Sequence, residues 1–114
     1  MINLKPEILK KLKEITGVTV SYFYPQDWTG LPAISYYELD NSEADSADDD
    51  EYTSNIAIQV DIWAKSSSVC SSNAIQANTK MRELGFKRTL SLDLFENDTG
   101  IHHKTMRFEK IEIL

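Results

Sequence analysis

SNIAIQVDIWAK, residues 54–65, is the stretch from which the fold follows. Ile56, Ile58, Val60 and Ile62 occupy every second position, with Ala57, Gln59, Asp61 and Trp63 between them. A period of two puts one set on each side of an extended chain. The β-branched set suits a buried, pleated face. The mixed set suits a face that meets solvent or a partner. The stretch reads as the central strand of an antiparallel sheet.

Upstream of it, Leu4, Ile8, Leu12 and Ile15 recur at helical spacing, with Lys10, Lys11 and Lys13 opposite. This predicts an amphipathic helix over 4–15, capped by Asn3, with Pro6 tolerated in its first turn and Gly17 as its stop. Such a helix packs on a core; lying on a membrane surface is the other use of its pattern. VTVSYFY, residues 18–24, reads as a strand. The loop PQDWTGLP follows, and its Trp28 either folds back on the core or meets a partner. AISYYELD, residues 33–40, is a second strand. Between it and the central strand lies NSEADSADDDEY, whose charge density predicts a long, mobile hairpin loop over about 41–53.

Downstream, Ser66, Ser67 and Ser68 offer N-caps. Cys70, Ala74, Ala77, Met81 and Leu84 form the buried stripe of a second helix, 69–84, ended by Gly85. A thiol on that stripe is expected to be buried and inert. Leu90, Leu92 and Leu94 alternate with Thr89, Ser91 and Asp93. Asn97-Asp98-Thr99-Gly100 makes a hairpin turn, and 101–114 returns as a strand. Met106 and Phe108 share one parity, Ile111 and Ile113 the other, which predicts a bulge or a tail leaving the sheet. Short connections favour antiparallel pairing. The expected fold is α+β: a two-layer sandwich, a mainly antiparallel sheet of four to five strands with two helices on one face.

The chain has 114 residues, enough for one domain. No apolar run reaches the roughly 20 residues that span a bilayer, and no signal-peptide pattern opens it. With a single cysteine, Cys70, it has no internal disulfide, in keeping with a reducing compartment. The net charge is −6, and Glu43, Asp45, Asp48, Asp49, Asp50 and Glu51 account for all of it, because 12 acids and 12 bases remain. That distribution gives no basic footprint for a dedicated DNA-binding domain.

Three constellations carry possible chemistry. The acidic segment lacks the glycine of a calcium loop. His102 and His103 are adjacent, so on a strand they face opposite ways and cannot readily share a metal. No G-x-S-x-G elbow and no glycine-rich phosphate loop occurs. Neither cofactor nor metal is expected. An enzyme built on Asp61, Asp93 or His103 as acid or base is one competing reading; a small α+β ligand-binding or regulatory domain acting as a dimer is another.

Tyr24-Pro25, Leu31-Pro32-Ala33-Ile34, Val60-Asp61-Ile62-Trp63-Ala64, Met81-Arg82-Glu83-Leu84-Gly85-Phe86, Asp93-Leu94-Phe95-Glu96 and His103-Lys104 together give a pattern. It resembles the small tail-completion, or tail-to-head joining, proteins of long-tailed bacteriophages and prophages. The resemblance implies a tail-terminator-like fold and a non-catalytic virion protein, assembled in the bacterial host cytoplasm. It implies a ring, commonly a hexamer, that caps the tail tube and docks to the head connector, with DNA only passing through the lumen. Ring closure needs a heterologous contact. Expected interface residues are Tyr22, Tyr24, Trp28, Tyr36, Tyr37, Trp63, Met106 and Phe108. Glu43, Asp45, Asp48, Asp49, Asp50 and Glu51 are expected to face the lumen or a partner.

Overall fold

The computed structural model describes residues 1–47 and 50–113, with 44–47 and 50–52 described by their backbone alone. The elements run α1 (Lys5–Leu12), β1 (Thr19–Tyr22), β2 (Ala33–Ala47), β3 (Asp50–Ala64), α2 (Ser67–Glu83), β4 (Lys87–Glu96) and β5 (Ile101–Ile113). The five strands form one sheet in the order β1-β2-β3-β5-β4. The strand read first from the sequence is its middle member.

Ile56, Ile58, Val60 and Ile62 of β3 are all buried beneath the helices, with Ile34 and Tyr36 of β2 and Met106 and Phe108 of β5 beside them. From the helix layer, Ile8 and Leu12 of α1 and Cys70, Ala74, Ala77 and Met81 of α2 close the same core. Both helices therefore cover one face, and the architecture is an α+β two-layer sandwich. The small residues of α2 let its backbone approach the sheet. Ser66 caps α2, its Oγ accepting the Val69 N–H. At the other end Gly85, at φ +91, lets Phe86 N–H reach back to the Met81 carbonyl and turn into β4. The first helix starts later and ends earlier than its apolar period; Asn3 Oδ1 accepts the Lys5 N–H from just outside it.

Four expectations need correction. The segment 41–53 is not a loop over most of its length: β2 and β3 stay paired through Asn41↔Ile56, Glu43↔Ser54 and Ala47↔Asp50, with register shifts at Glu38/Asp40, Glu43/Asp45 and Asp45/Ser46. Ladder hydrogen bonds need only backbone, so an acidic stretch held between two established strands continues their ribbon. The part of that loop at Asp48 and Asp49 lies outside the described residues. Second, β1 pairs with β2 in parallel; the ten residues 23–32 between them cross the sheet face opposite the helices instead of turning tightly. Third, β5 shows no register shift against β3 all the way to Thr53↔Ile113. Ile111 and Ile113 change parity because they point to the uncovered face, where both are exposed. The one bulge of this region is in β4, between Arg88 and Leu90. Fourth, four of the eight expected interface residues, Tyr36, Trp63, Met106 and Phe108, are buried within this chain; their apolar bulk is spent on its own packing.

The β2–β3 ribbon, flanked by the end of β5, projects as an arm. The molecule measures 53 × 24 × 22 Å with a radius of gyration of 15.2 Å, against about 13 Å for a compact chain of this length.

Candidate interaction surface

With the helices on one side, the other side of the sheet is the place where side chains meet the surroundings. The register sets its rows. Ala33, Trp63, His103 and Leu94 form one row across β2, β3, β5 and β4; Ser35, Asp61, Thr105 and Leu92 form the next; Tyr37, Gln59, Arg107 and Leu90 the third.

At the centre of the first two rows sits a polar cluster under an aromatic roof. The Asp61 carboxylate is only 3% exposed. It accepts from Gln59 Nε2 at 3.1 and 3.3 Å and lies 2.7 Å from His103 Nε2. A polar group taken out of water needs such partners in its place. The His103 ring stacks on Trp63 at 3.7 Å between centroids and 14° between planes. Trp63 Nε1 donates to Ser35 Oγ at 2.9 Å. Trp28, from the crossing loop, meets Trp63 edge-on at 5.0 Å, and Tyr24 lies tilted at 6.4 Å. The loop thus folds back on the outer side of the sheet, and Trp28 stays partly exposed. Asp27 shapes the loop: its Oδ1 accepts from the Thr29 hydroxyl and N–H, which holds its carboxyl below the usual range.

Beyond this roof the β1 side is aromatic. Phe23 has φ +77, a conformation that L side chains rarely adopt. It stacks on Tyr37 at 5.0 Å with an 8° tilt. Burial, then the nearby Asp61 charge, pushes the Tyr37 phenol above its ordinary value. Tyr22, Phe23, Tyr24 and Trp28 are exposed large side chains at this edge.

The opposite edge, β4, is apolar in a different way. Leu92, Leu94 and Phe95 are exposed. Because α2 lies over β3 and β5, the inner face of β4 is bare as well. Two depressions run between α2 and β4. One of about 190 Å³ is lined by Ser67, Cys70, Ser71, Asp93, Phe95 and His102 among others. The second, of about 310 Å³, includes Ser71, Ile75, Asn78, Arg88, Ser91 and Lys104 in its wall. Cys70 is buried at the floor, where desolvation pushes its thiol up. A further depression of about 440 Å³ lies at the root of the arm, walled by Asp40, Asn55, Lys87, Thr89, Glu109 and Ile111 among others.

Of the expected surface residues, Tyr22, Tyr24 and Trp28 come together at the β1 edge, with Tyr37 half-buried beside them. Of the acidic set, Glu43 is exposed on the arm; Asp45, Asp50 and Glu51 are placed on it by backbone; Asp48 and Asp49 fall outside the described residues. The three residues of the enzyme reading do not converge: Asp61 and His103 pair on the uncovered face, whereas Asp93 faces the helix side and reaches Lys104 at 3.1 Å. His102 and His103 point to opposite faces, as adjacency on a strand requires; His102 packs near Phe95. Sequence reasoning did not pick out Leu92, Leu94, Phe95 and Ile75. The alternation of the β4 leucines was visible, but nothing in it says which sheet face the helices leave bare.

No protein-family model matches the chain, and no curated protein matches it.

Proposed function

We propose that this protein is a non-catalytic structural subunit that assembles with copies of itself into a ring completing a phage tail, between the tail tube and the head connector. The observation that carries the reading is the pair of unlike, exposed apolar edges at opposite ends of one sheet, aromatic at β1 and leucine-rich at β4. Unlike patches at opposite ends are what a head-to-tail contact needs, and head-to-tail contacts close into rings when the rotation permits. An open β4 edge also leaves backbone donors and acceptors without strand partners on one side, a surface that natural proteins protect or use. The resemblance of the sequence to tail-completion proteins supplies the assembly; the arm supplies a projection toward neighbours.

The test is assembly. Incubated with the tail-tube and connector proteins of a phage that encodes it, the protein should form rings at the tube end, seen by negative-stain electron microscopy, and tubes so capped should join heads. A chain that stays monomeric in native mass spectrometry with both partners present, and leaves joining unchanged when omitted, sinks the reading.

A further inference from the structure

We propose that the groove between α2 and β4 is the socket into which a second copy of this chain seats its β1-edge aromatic group, Tyr22 to Tyr24 with Trp28. The inference rests on the ring reading and names its contact.

Three independent features point to it. The first is space. A helix covers only the strands beneath it, and the five strands here are not covered equally. Here α2 packs on β3 and β5 and α1 packs toward β1, so the helix side of β4 is left as a trough, with Ser71, Ala74, Ser91 and Met106 in its lining. Ile75, on the α2 wall of the trough, is 69% exposed. A trough with Ile75 on one wall and Asn78, Arg88 and Lys104 at its rim accepts a flat ring with a polar tip, the kind of side chain that dominates contact energies.

The second is strain. Phe23 holds a left-handed backbone with its ring half exposed. Backbone conformations of that kind are strained and persist where the surroundings impose them. The Phe23 N–H bond to the Tyr36 carbonyl, 2.8 Å, and the Ser21 hydroxyl on the Tyr24 carbonyl, 2.7 Å, hold the turn so that three consecutive rings project from one edge. Each ring touches the sheet on one side, Tyr22 on Tyr36, Phe23 on Tyr37 and Tyr24 near Trp63, and leaves its other side exposed.

The third is charge. Between Lys13 and Lys65 the chain carries eleven acidic residues and no Lys or Arg. At the aromatic edge these include Asp27, kept ionised by Thr29, and Glu38; Lys5, over the Tyr22 ring, is the base brought there by α1. In the trough Arg88 and Lys104 stand against the single acid Asp93, which pairs with Lys104 at 3.1 Å. Copies are therefore attracted edge to opposite edge and repelled aromatic edge to aromatic edge, which favours the head-to-tail pairing over a two-fold one.

Cysteine pairs test it directly, in a C70A background because Cys70 lines the same groove. The variants are Y24C, at the aromatic edge, and S91C, in the trough. After mild oxidation each alone should stay uncross-linked, their equimolar mixture should give a dimer, and the double variant should give a ladder beyond dimer. F23G relieves the strain and removes one ring; it should weaken self-association on the order of tenfold without lowering stability. Efficient dimers from either single variant would mean a two-fold contact and overturn the proposal. Rings that form around tubes without any Y24C–S91C cross-link overturn the socket but keep the ring reading. A ladder from a protein that fails to complete tails does the reverse.

Discussion

At Asp61 the chain places a carboxylate in the interior of a face that has no second layer. What makes that tolerable is a set of neighbours drawn from three strands: Gln59 two residues away, His103 from β5, and the Trp63–Ser35 pair alongside. An unpartnered buried polar group costs about 1–3 kcal/mol, more if charged. H103A removes the closest partner of Asp61 and strips the stacked face from Trp63. It should lower unfolding free energy by about 2–3 kcal/mol in urea titrations followed by tryptophan fluorescence. In a D61N background the same change should cost clearly less, because contacting residues are not additive. Equal costs in both backgrounds would show that the two side chains merely sit near each other. The pair was half legible in the sequence: Asp61 and His103 were both singled out, yet as separate acid–base candidates. Forty-two residues of separation hide a contact that depends on how β5 registers against β3.

At the scale of elements, β4 and β5 look alike in sequence and behave differently. Met106 and Phe108 alternate just as Leu92 and Leu94 do, but the first pair lies under α2 and the second faces outward. Truncating a fully buried Phe costs its transfer energy and the cavity it leaves. F108A should therefore destabilise by about 3–5 kcal/mol, whereas L94S should stay within about 0.5 kcal/mol while reducing self-association. Urea midpoints together with sedimentation velocity separate the two effects. A large stability loss from L94S would place that leucine in the core and remove β4 from the interface. The helices were legible because an amphipathic period of 3.6 reports its own buried stripe. Their ends were less so: α1 stops at Leu12, yet Ile15 is still buried, carried by the turn that follows the helix.

Over the whole molecule, charge is divided as sharply as shape. Glu43, Asp45, Asp50 and Glu51 sit on the arm, away from the helix layer, and in the ring reading repeated copies of the acidic run would make a negative collar along the path of DNA. Like charge would keep the exiting strand from adhering to the wall. Changing Asp48, Asp49 and Asp50 to Asn and Glu51 to Gln should then slow DNA ejection, measured by dye entry after receptor triggering, with virion yield unchanged. Normal ejection with defective joining would instead assign the arm to a protein contact.

The sequence alone determined the periodic patterns: two helices, strands of period two, a middle strand buried on one side, a thiol on a packed stripe, and the place where all the net charge is concentrated. These are local properties, because side-chain direction along a helix or strand repeats every few residues. Only the tertiary structure decided which side of the sheet the helices cover. With it came the parallel pairing of β1, the continuation of the acidic stretch as paired strand, the meeting of Asp61 with His103, and the exposure of the β4 leucines. Each of these depends on register and layer placement between segments far apart in the chain. A period of two says only that a strand has two different faces, and packing chooses which of them is buried.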